Sequence, residues 1–500
     1  MPCNRHCKPD STAWCQPLLE SRYFPVFVFL LALVVRIIFV SLFPSLPYNV
    51  DAAEYVILGQ NIAHGHGYCY QPGHPTAYRL PLYPIFLAFF FALFGDNCYW
   101  AISIGEAIIG SLCVVALYYA ALHIIRRNRP AAIVATMLAV YPPLVRLTNT
   151  FMTENLFSLL ATLSALLLLK ALTGQSSKAS TVLAGIVIGL SWLCRPTLFP
   201  LVAILPLWAL LARRQRLGDR KARLRQTGLI LGVACLFLIP WTVRNAVVMK
   251  AFIPFDTHGG ATLWYQHNSL SPNGYFWSAI PRDKLVEIKR RINEQRRRLD
   301  SGESVRDVML PVVLKGPMAG FEFLPKSKIA KFENLSEVER DSAFWRAALG
   351  TILSHPARYA NKTLKETVKF WHVFDDFGHF VASYAFVLPF AFLGFLMFLA
   401  KRRWSEALLY LSPLLCGWLL GATINASHRF RLPFEPLVLT FTGVFAQRFA
   451  KSSSKARAAI VVAASIYAAL VFCFFLYPEA LRDIVQAIAT GLGFAAYPVY

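Results

Sequence analysis

The sequence predicts an all-α, polytopic membrane protein, and two observations carry this prediction. Of its 500 residues, 56% are hydrophobic and only 15% are charged, and the mean hydropathy of +0.48 is too high for a soluble protein of this length. Apolar stretches long enough to cross a bilayer as helices recur along the chain, separated by polar loops. The expected fold is therefore a bundle of membrane-spanning helices.

About eleven spans are expected from stretches of this length. Their predicted ranges are 24–43, 99–122, 131–147, 154–172, 179–194, 197–212, 227–248, 381–400, 406–424, 432–449 and 457–477. The apolar stretch 81–94 is shorter, so we expect a helix that lies at or dips into the outer face of the membrane. The first span carries Arg36 and lacks a small-residue cleavage site, which indicates a retained anchor and not a signal peptide.

Charge sets the expected orientation. Lys and Arg number 50 against 27 Asp and Glu, but these cations alternate with apolar spans instead of covering one soluble face, which argues against a nucleic-acid partner. Basic clusters at 126–129, 213–225, 401–403 and 448–457 fall on alternate loops and are expected in the cytoplasm. The N-terminus is then inside and the C-terminus outside, in a multi-pass protein of the cell (inner) membrane.

This topology divides the chain into parts. They are a cytoplasmic tail 1–23, a transmembrane module 24–248 that includes a first outer segment 44–98, a second outer segment 249–380, C-terminal spans 381–477 and an extracytoplasmic tail 478–500. Aqueous chemistry is expected in the two outer segments. The basic stretch "EIKRRINEQRRRLDSGESVRD" in the second of them is predicted to be a solvated or headgroup-touching helix.

Two acids follow the first span in "DAAEYVILGQNIAHGHGY", which begins at Asp51. The pattern predicts a helix to about residue 63, with Asp51 as N-cap and Glu54 at the capping-box position, ended by Gly65 and Gly67. Capping alone would explain Glu54. A cap at the membrane edge leaves one Asp51 oxygen free, so Asp51 is also a candidate base.

Cations and one more acid occur at other predicted outer positions. Arg79 is the only Lys or Arg between residues 44 and 98, and it is either an anion ligand or a structural partner of the two acids. Glu154 begins a span and is either part of the site or a helix N-terminal acid. The remaining candidates are Arg244 in "PWTVRN" and His428, Arg429 and Arg431 in "HRFRLP", where cations outside the membrane oppose the usual bias and favour an anionic ligand.

Metal binding is the lesser alternative for the first outer segment. His64, His66 and His74 accompany Asp51, but a solvated turn explains them as well. Cys3, Cys7 and Cys15 with His6 match no standard metal-ligand spacing, and Cys69 and Cys98 are able to pair in an oxidising compartment. No cofactor is required by these patterns, and no phosphate-binding glycine loop is present in the sequence.

The order of the motifs "YNVDAAEYVILGQNI", "AYRLPLYPIFLA", "TENLF", "GLSWLCRPT", "PWTVRN", "GGATLW" and "HRFRLP" resembles the bacterial GT-C glycosyltransferases. The most similar groups are the dolichyl-phosphate-mannose-protein mannosyltransferase-like proteins and the lipid A aminoarabinose transferases. The resemblance implies a bundle of about 11–13 transmembrane helices with a catalytic first outer loop and a larger outer loop. It also implies inverting transfer of a sugar from a polyprenyl phosphate to an extracytoplasmic acceptor.

The resemblance also assigns roles to residues. Asp51 corresponds to the family's base, although Val50 and Asp51 stand where the family often has two acids, so that Glu54 or Glu154 would have to supply the second. Tyr78 and Arg79 stand where the aminoarabinose transferases carry a Glu-Lys pair. Arg79, Arg244, Arg429 and Arg431 would bind the donor phosphate, with Glu54, Tyr55, Tyr78, Glu154 and His428 in support.

A different class of function remains open. A secondary transporter or flippase for a lipid-linked substrate would use intramembrane cations such as Arg36 and Arg195 to line a path for an anionic headgroup. The two long outer segments and the absence of an evident sequence repeat favour the enzyme.

Overall fold

The computed structural model describes residues 16–173, 177–212, 219–270, 280–318, 321–324, 326–373, 381–401, 403–424 and 426–476. The N-terminal cysteines with His6 and the predicted tail 478–500 lie outside these residues. The α-helices in chain order are α1 Gln16–Glu20, α2 Phe24–Leu42, α3 Val50–Ala63, α4 Leu82–Phe94, α5 Tyr99–Ile125, α6 Asn128–Ala139, α7 Pro142–Arg146, α8 Glu154–Leu172, α9 Lys178–Cys194, α10 Leu201–Leu211, α11 Arg220–Val248, α12 Gly259–Gln266, α13 Arg282–Asp300, α14 Val305–Val313, α15 Lys326–Ile329, α16 Glu337–Ser354, α17 Pro356–Lys369, α18 Ala382–Leu399, α19 Trp404–Thr423, α20 His428–Arg431, α21 Glu435–Phe449 and α22 Ser454–Leu476. Strands β1 (Cys69–Gln71) and β2 (His74–Pro75) form a small antiparallel hairpin.

The prediction of an all-α, multi-pass membrane protein is confirmed. In the part of the chain that the structure describes, six helices are long and apolar enough to span a membrane, namely α2, α5, α8, α11, α18 and α19. The pair α6 and α7, bent by 47°, raises this number to seven if it forms one span. The other predicted spans coincide with the shorter helices α9, α10 and α21, of 17, 11 and 15 residues, and with α22, of 23 residues.

The helices of the bundle divide their apolar side chains between a protein core and an outer surface. In α2, Val28 and Ala32 are fully buried in the core, whereas Leu30, Val34 and Ile38 are exposed. The exposed apolar side chains recur every four residues, which places them on one helix face. That face of α2 is suited to contact lipid.

The first outer segment forms a compact unit against the bundle. Its helices α3 and α4 cross closely at Gly59, where a Cβ atom would lie only 2.9 Å from the Leu87 Cβ. Helix α4 keeps Leu87 and Phe91 buried and exposes Ile85 and Phe89. The stretch predicted as an interfacial helix is thus a 13-residue helix with one exposed apolar side, and its depth in the membrane remains a prediction.

The second outer segment has its own apolar core and also covers the first. Trp264, Phe321, Phe332 and Phe344 pack together, with the Phe332 and Phe344 ring centroids 4.3 Å apart. Helix α14 packs against α3. The second outer segment therefore forms one wall around the helix that carries Asp51.

Candidate functional site

Helix α3 begins two residues earlier than the sequence pattern suggests, and this changes the role of its acids. Asn49 is the N-cap, and its side chain accepts a hydrogen bond from the backbone N–H of Ala52 at 2.8 Å. The predicted capping roles of Asp51 and Glu54 are therefore wrong. Asn49 supplies the same hydrogen bond as an aspartate cap, which leaves both carboxylates available for other partners.

Arg79 connects the two acids. Its Nε donates to the Glu54 Oε2 at 2.6 Å, and a terminal nitrogen donates to the Asp51 Oδ1 at 2.5 Å. The guanidinium also lies 5.3 Å from the ring centroids of both Tyr55 and Tyr78. One cation is thus held between two carboxylates and two aromatic rings, which fixes its position at the first turn of α3.

A separate set of contacts fixes the loop that carries Arg79. Arg244 donates to the backbone oxygens of Thr76 at 2.7 Å and Tyr68 at 3.1 Å. Glu337, at the start of α16, accepts from the Thr76 hydroxyl at 2.6 Å and from the Ala77 N–H at 2.9 Å. The structure places Arg244 on the backbone of the loop and not among the carboxylates, so we assign it a positioning role.

Asp51 has a second cationic partner, which comes from the far end of the chain. Arg429 in α20 donates to the Asp51 Oδ2 at 2.6 Å, and its Nε donates to Glu154 at the start of α8. Arg195, which ends α9, donates to the same Glu154 oxygen at 2.7 Å. Four separate elements of the fold therefore meet at the same end of the bundle.

We call these residues the charge cluster. Its members are Asp51, Glu54, Arg79, Glu154, Arg195 and Arg429. The three carboxylates balance the three guanidinium groups when all are ionised. Exposure is uneven, because 34% of the Asp51 side chain and 29% of the Arg429 side chain are exposed but only 1% of Glu154. A ligand from solvent therefore meets Asp51 and Arg429 first.

Opposite environments separate the two acids of α3. Burial alone would raise the pKa of Asp51, but Arg79 and Arg429 outweigh it and hold that pKa well below its usual value. Burial raises the pKa of Glu54 to about 7. The charge of Asp51 adds to this increase, and Arg79, which Glu54 shares with Asp51, offsets only part of it. Asp51 is thus the ionised carboxylate, while Glu54 takes up a proton near neutral pH.

Replacing Glu54 with glutamine tests this assignment through stability. The pKa of about 7 in the folded protein lies above the value of about 4.3 for an unfolded chain, so proton uptake stabilises the fold below neutrality. That stabilisation is lost as the pH rises through 7. We therefore expect the melting temperature of the wild type to fall more between pH 5.5 and 8 than that of the Glu54→Gln variant, measured in the same detergent. Identical pH profiles would contradict the assignment.

Aromatic and imidazole groups border the charge cluster. The rings of Tyr78 and His258 lie 4.9 Å apart, and Tyr55 packs edge-on against Tyr83 at 5.3 Å. Burial and the nearby Arg79 lower the pKa of His258 to about 3, so that this imidazole is neutral. His258 was not among the residues that the sequence singled out, although it directly precedes the "GGATLW" motif.

Arg431 lies apart from the cluster, inside the bundle. Its side chain is fully buried, pairs with Glu435 at 3.0 Å and donates to the backbone oxygen of Phe370 at 3.0 Å. The neighbouring His428 is also buried. Because no part of Arg431 is exposed, we do not assign it the predicted contact with a donor phosphate.

Replacing Arg431 with methionine is expected to destabilise the protein by about 3–5 kcal/mol, because Glu435 would remain buried without its ion-pair partner. The double replacement of Arg431 and Glu435 by methionine should recover part of that loss, since it removes both charges. Denaturant unfolding in detergent micelles measures both values. A stable single variant would contradict a structural role for Arg431.

The histidines and cysteines of the first outer segment do not gather into a metal site. Within the described residues there is no group of three or more His, Cys, Asp or Glu side chains suited to hold a metal ion. His64 lies 3.3 Å from Asp96, while His74 belongs to the exposed strand β2. Cys69 and Cys98 are both free thiols, so the predicted pairing is not formed.

Arg195 is the cluster cation that sequence reasoning assigned to the rival transporter. It belongs to "GLSWLCRPT", where Pro196 follows it and α9 ends. An arginine at the end of a predicted span, directly before a proline, was the available signal that this residue lies at a helix end. The structure places it on Glu154, 41 residues earlier in the chain.

Part of the chain matches a known protein family. Residues 73–241 match the family model described as dolichyl-phosphate-mannose-protein mannosyltransferase. The match confirms the resemblance to the GT-C glycosyltransferases. It includes Arg79, Glu154 and Arg195 of the charge cluster, whereas Asp51 and Arg429 lie outside the matched residues. No curated protein matches the chain.

Two solved structures of GT-C type are similar to the chain. The archaeal oligosaccharyltransferase AglB from Archaeoglobus fulgidus, in complex with an inhibitory peptide and a dolichol-phosphate, is 14% identical with a TM-score of 0.49. The match covers 98% of this chain but only 61% of AglB. ArnT from Cupriavidus metallidurans, bound to undecaprenyl phosphate, is 13% identical with a TM-score of 0.39, and the match covers 86% of this chain and 79% of ArnT.

Proposed function

We propose that this protein transfers a sugar from a polyprenyl phosphate to a hydroxyl group of an extracytoplasmic acceptor, with inversion at the anomeric carbon. The observation that carries the proposal is the environment of Asp51, a partly exposed carboxylate between two guanidinium groups that hold its pKa low, at one end of the helical bundle. The matched family model, whose description names a dolichyl-phosphate sugar donor, supports the donor class.

The guanidinium groups of Arg79 and Arg429 suit the donor phosphate. In the structure both donate to Asp51, and such pairs are geometrically equivalent to arginine–phosphate pairs. A phosphate that enters beside Asp51 competes with this carboxylate for the two cations. Arg429 keeps Glu154 as a second partner, and Arg79 keeps Glu54, so both arginines stay in place while the phosphate binds.

Donor binding would also turn Asp51 into a base. While two guanidinium groups hold its pKa far below the usual range, the carboxylate is too weakly basic to take a proton from a hydroxyl. When the phosphate draws those groups away, less positive charge acts on Asp51 and its pKa rises. The site is therefore inactive without donor and becomes basic once the donor is bound.

The transfer itself needs only these groups. The acceptor oxygen forms a bond to the anomeric carbon as its proton passes to Asp51, and the bond between that carbon and the phosphate oxygen breaks. The leaving oxygen keeps the electron pair, and the polyprenyl phosphate departs as an anion. Arg79 and Arg429 stabilise the negative charge that gathers there in the transition state.

The structure gives the transporter alternative less support. Arg36 is buried and donates to the backbone oxygens of Ala32 and Ala139, both at 3.1 Å, so that it joins neighbouring helices. Arg195 is paired with Glu154 in the charge cluster. Both cations that would line a headgroup path therefore have other contacts.

A donor panel tests the proposed function. Purified protein in proteoliposomes is incubated with a set of polyprenyl phosphate sugars and a membrane extract as acceptor, and released polyprenyl phosphate is measured. We expect release from at least one donor, dependent on the extract. Movement of a fluorescent donor across the vesicle membrane without any release would support the transporter instead.

The outer location of the site is tested separately by labelling. His74 is exposed on β2 in the same outer segment as Asp51 and lies outside the charge cluster. A His74→Cys variant in intact cells should react with a membrane-impermeant maleimide beyond the level of the wild type. Reaction only after the cells are permeabilised would place the segment in the cytoplasm and overturn the proposal.

A further inference from the structure

Helix α13 carries the basic stretch of the second outer segment, and most of it is exposed. Several of its arginines have acidic neighbours. Arg291 pairs with Glu287 at 2.6 Å, Arg297 with Glu294 at 3.0 Å, and Arg298 with Glu303 at 2.6 Å. These local pairs cancel much of the charge, so the three arginines are poor ligands for a further anion.

A different set of side chains lies along one side of the helix, and we call it the α13 stripe. Its members are Val286, Lys289, Ile292 and Arg296, at spacings of three, three and four residues. All four are exposed, including 67% of Val286 and 50% of Ile292. Long cationic side chains keep their charged ends at headgroup level while neighbouring apolar side chains enter the interface, so a helix side of this composition is suited to a membrane surface.

The C-terminal end of α13 is attached close to where the first span ends. The Tyr48 hydroxyl donates to Asp300 at 2.6 Å, and the Arg296 guanidinium lies 4.8 Å from the Tyr48 ring centroid. Tyr48 follows closely on Leu42, the last residue of α2, which is an exposed apolar side chain suited to lipid. Two contacts thus place Arg296 near the C-terminal end of α2, a helix long and apolar enough to span a membrane.

The same end of α13 also belongs to an apolar cluster that includes residues of α4. Leu299 is buried in the cluster that contains Leu87 and Phe91 of α4. The opposite side of α4 exposes Ile85 and Phe89. The C-terminal end of α13 therefore shares an apolar core with α4, whose other side presents apolar side chains outward.

We propose that the α13 stripe binds the headgroups of anionic phospholipids in the outer leaflet. Lys289 and Arg296 pair with lipid phosphates, and Val286 and Ile292 enter the boundary between headgroups and acyl chains. Charge complementarity and the attachment at Tyr48 favour a lipid over a soluble anion, because a soluble anion gives the two exposed apolar side chains nothing to contact. This inference is independent of the proposed sugar transfer.

Hydrogen exchange in lipid nanodiscs tests the stripe. We expect amide exchange within residues 286–298 to be several-fold slower in nanodiscs that contain phosphatidylglycerol than in nanodiscs of phosphatidylcholine alone. The Lys289→Gln and Arg296→Gln double variant should lose this difference. The Lys289→Gln single variant, which keeps the contact between Arg296 and Tyr48, should lose part of it.

Matched controls separate lipid binding from other causes. The Arg291→Gln and Arg298→Gln double variant removes the same charge from the same helix, but from arginines already paired with glutamates, and should keep the protection. Equal exchange in both lipids, or equal loss in this control, would overturn the proposal. Protection by inorganic phosphate in phosphatidylcholine nanodiscs would identify a free anion as the ligand and overturn the lipid assignment.

Discussion

An Asp51→Asn variant is expected to lose sugar transfer by about 10²–10⁴-fold, which is the usual contribution of a general base. Asparagine has nearly the same shape, but its one oxygen replaces only one of the two Asp51 oxygens that accept from Arg79 and Arg429. It takes no proton from the acceptor hydroxyl. Initial rates of polyprenyl phosphate release, measured at saturating donor, give the size of the effect.

Asp96 provides a matched control for that experiment. It lies in the same outer segment, is partly exposed and contacts His64, away from the charge cluster. The Asp96→Asn variant should transfer sugar at the rate of the wild type. An Asp51→Asn variant that retains full activity would eliminate Asp51 as the base, whatever the fate of the rest of the proposal.

Replacing Arg429 with glutamine is expected to lower the transfer rate by about 10²–10³-fold, the usual cost of removing one group that stabilises transition-state charge. Arg429 joins Asp51 to Glu154, so the variant also leaves Glu154 with Arg195 as its remaining arginine partner. The loss should fall mainly on kcat, because charge on the leaving phosphate grows during bond cleavage. Steady-state kinetics with varied donor concentration separate kcat from KM.

Arg298 offers the control for Arg429. It is an arginine of the second outer segment whose partner, Glu303, is exposed like itself. An Arg298→Gln variant should keep both kcat and KM. If the Arg429→Gln variant raised KM with kcat unchanged, Arg429 would contribute equally to ground-state and transition-state binding, and its proposed role in stabilising the leaving group would be wrong.

The positions of the helices were predictable because each depends on a continuous apolar stretch of the sequence. Apolar length alone located each predicted span, and the described part of the chain has helix at every one of these ranges. Whether a helix crosses the membrane is less local, since α10 is only 11 residues long and follows a separate short turn at Pro196–Leu198. Sequence patterns therefore predicted the positions of the helices better than the number of membrane spans.

The candidate site was predictable in part, for a physical reason. Asp51, Arg79, Glu154 and Arg429 are polar side chains at the predicted outer ends of apolar stretches, and this position alone marked them. Their pairing was not predictable, because Arg429 reaches Asp51 across 378 residues of sequence. Local patterns hold no information on such contacts.

The lack of long-range information in local patterns also explains why Arg431, predicted to bind the donor phosphate, lies outside the charge cluster. Arg431 is only two residues from Arg429, yet a helical turn directs one into the bundle and the other to Asp51. The capping roles of Asp51 and Glu54 failed because Asn49 caps the helix two residues earlier, on the N–H of Ala52. In both cases the residue type permits two roles, and a neighbouring residue determines which role the side chain takes.

The proposed mechanism requires Asp51 and the donor phosphate to compete for Arg79 and Arg429. Binding of polyprenyl phosphate without sugar, measured for the wild type, Asp51→Asn and Arg429→Gln proteins in nanodiscs, tests this most directly. We expect the Asp51→Asn protein to bind at least as tightly as the wild type, because the competing charge is gone, and the Arg429→Gln protein to bind more weakly. Weaker binding by the Asp51→Asn protein, equal to that of the Arg429→Gln protein, would contradict the account.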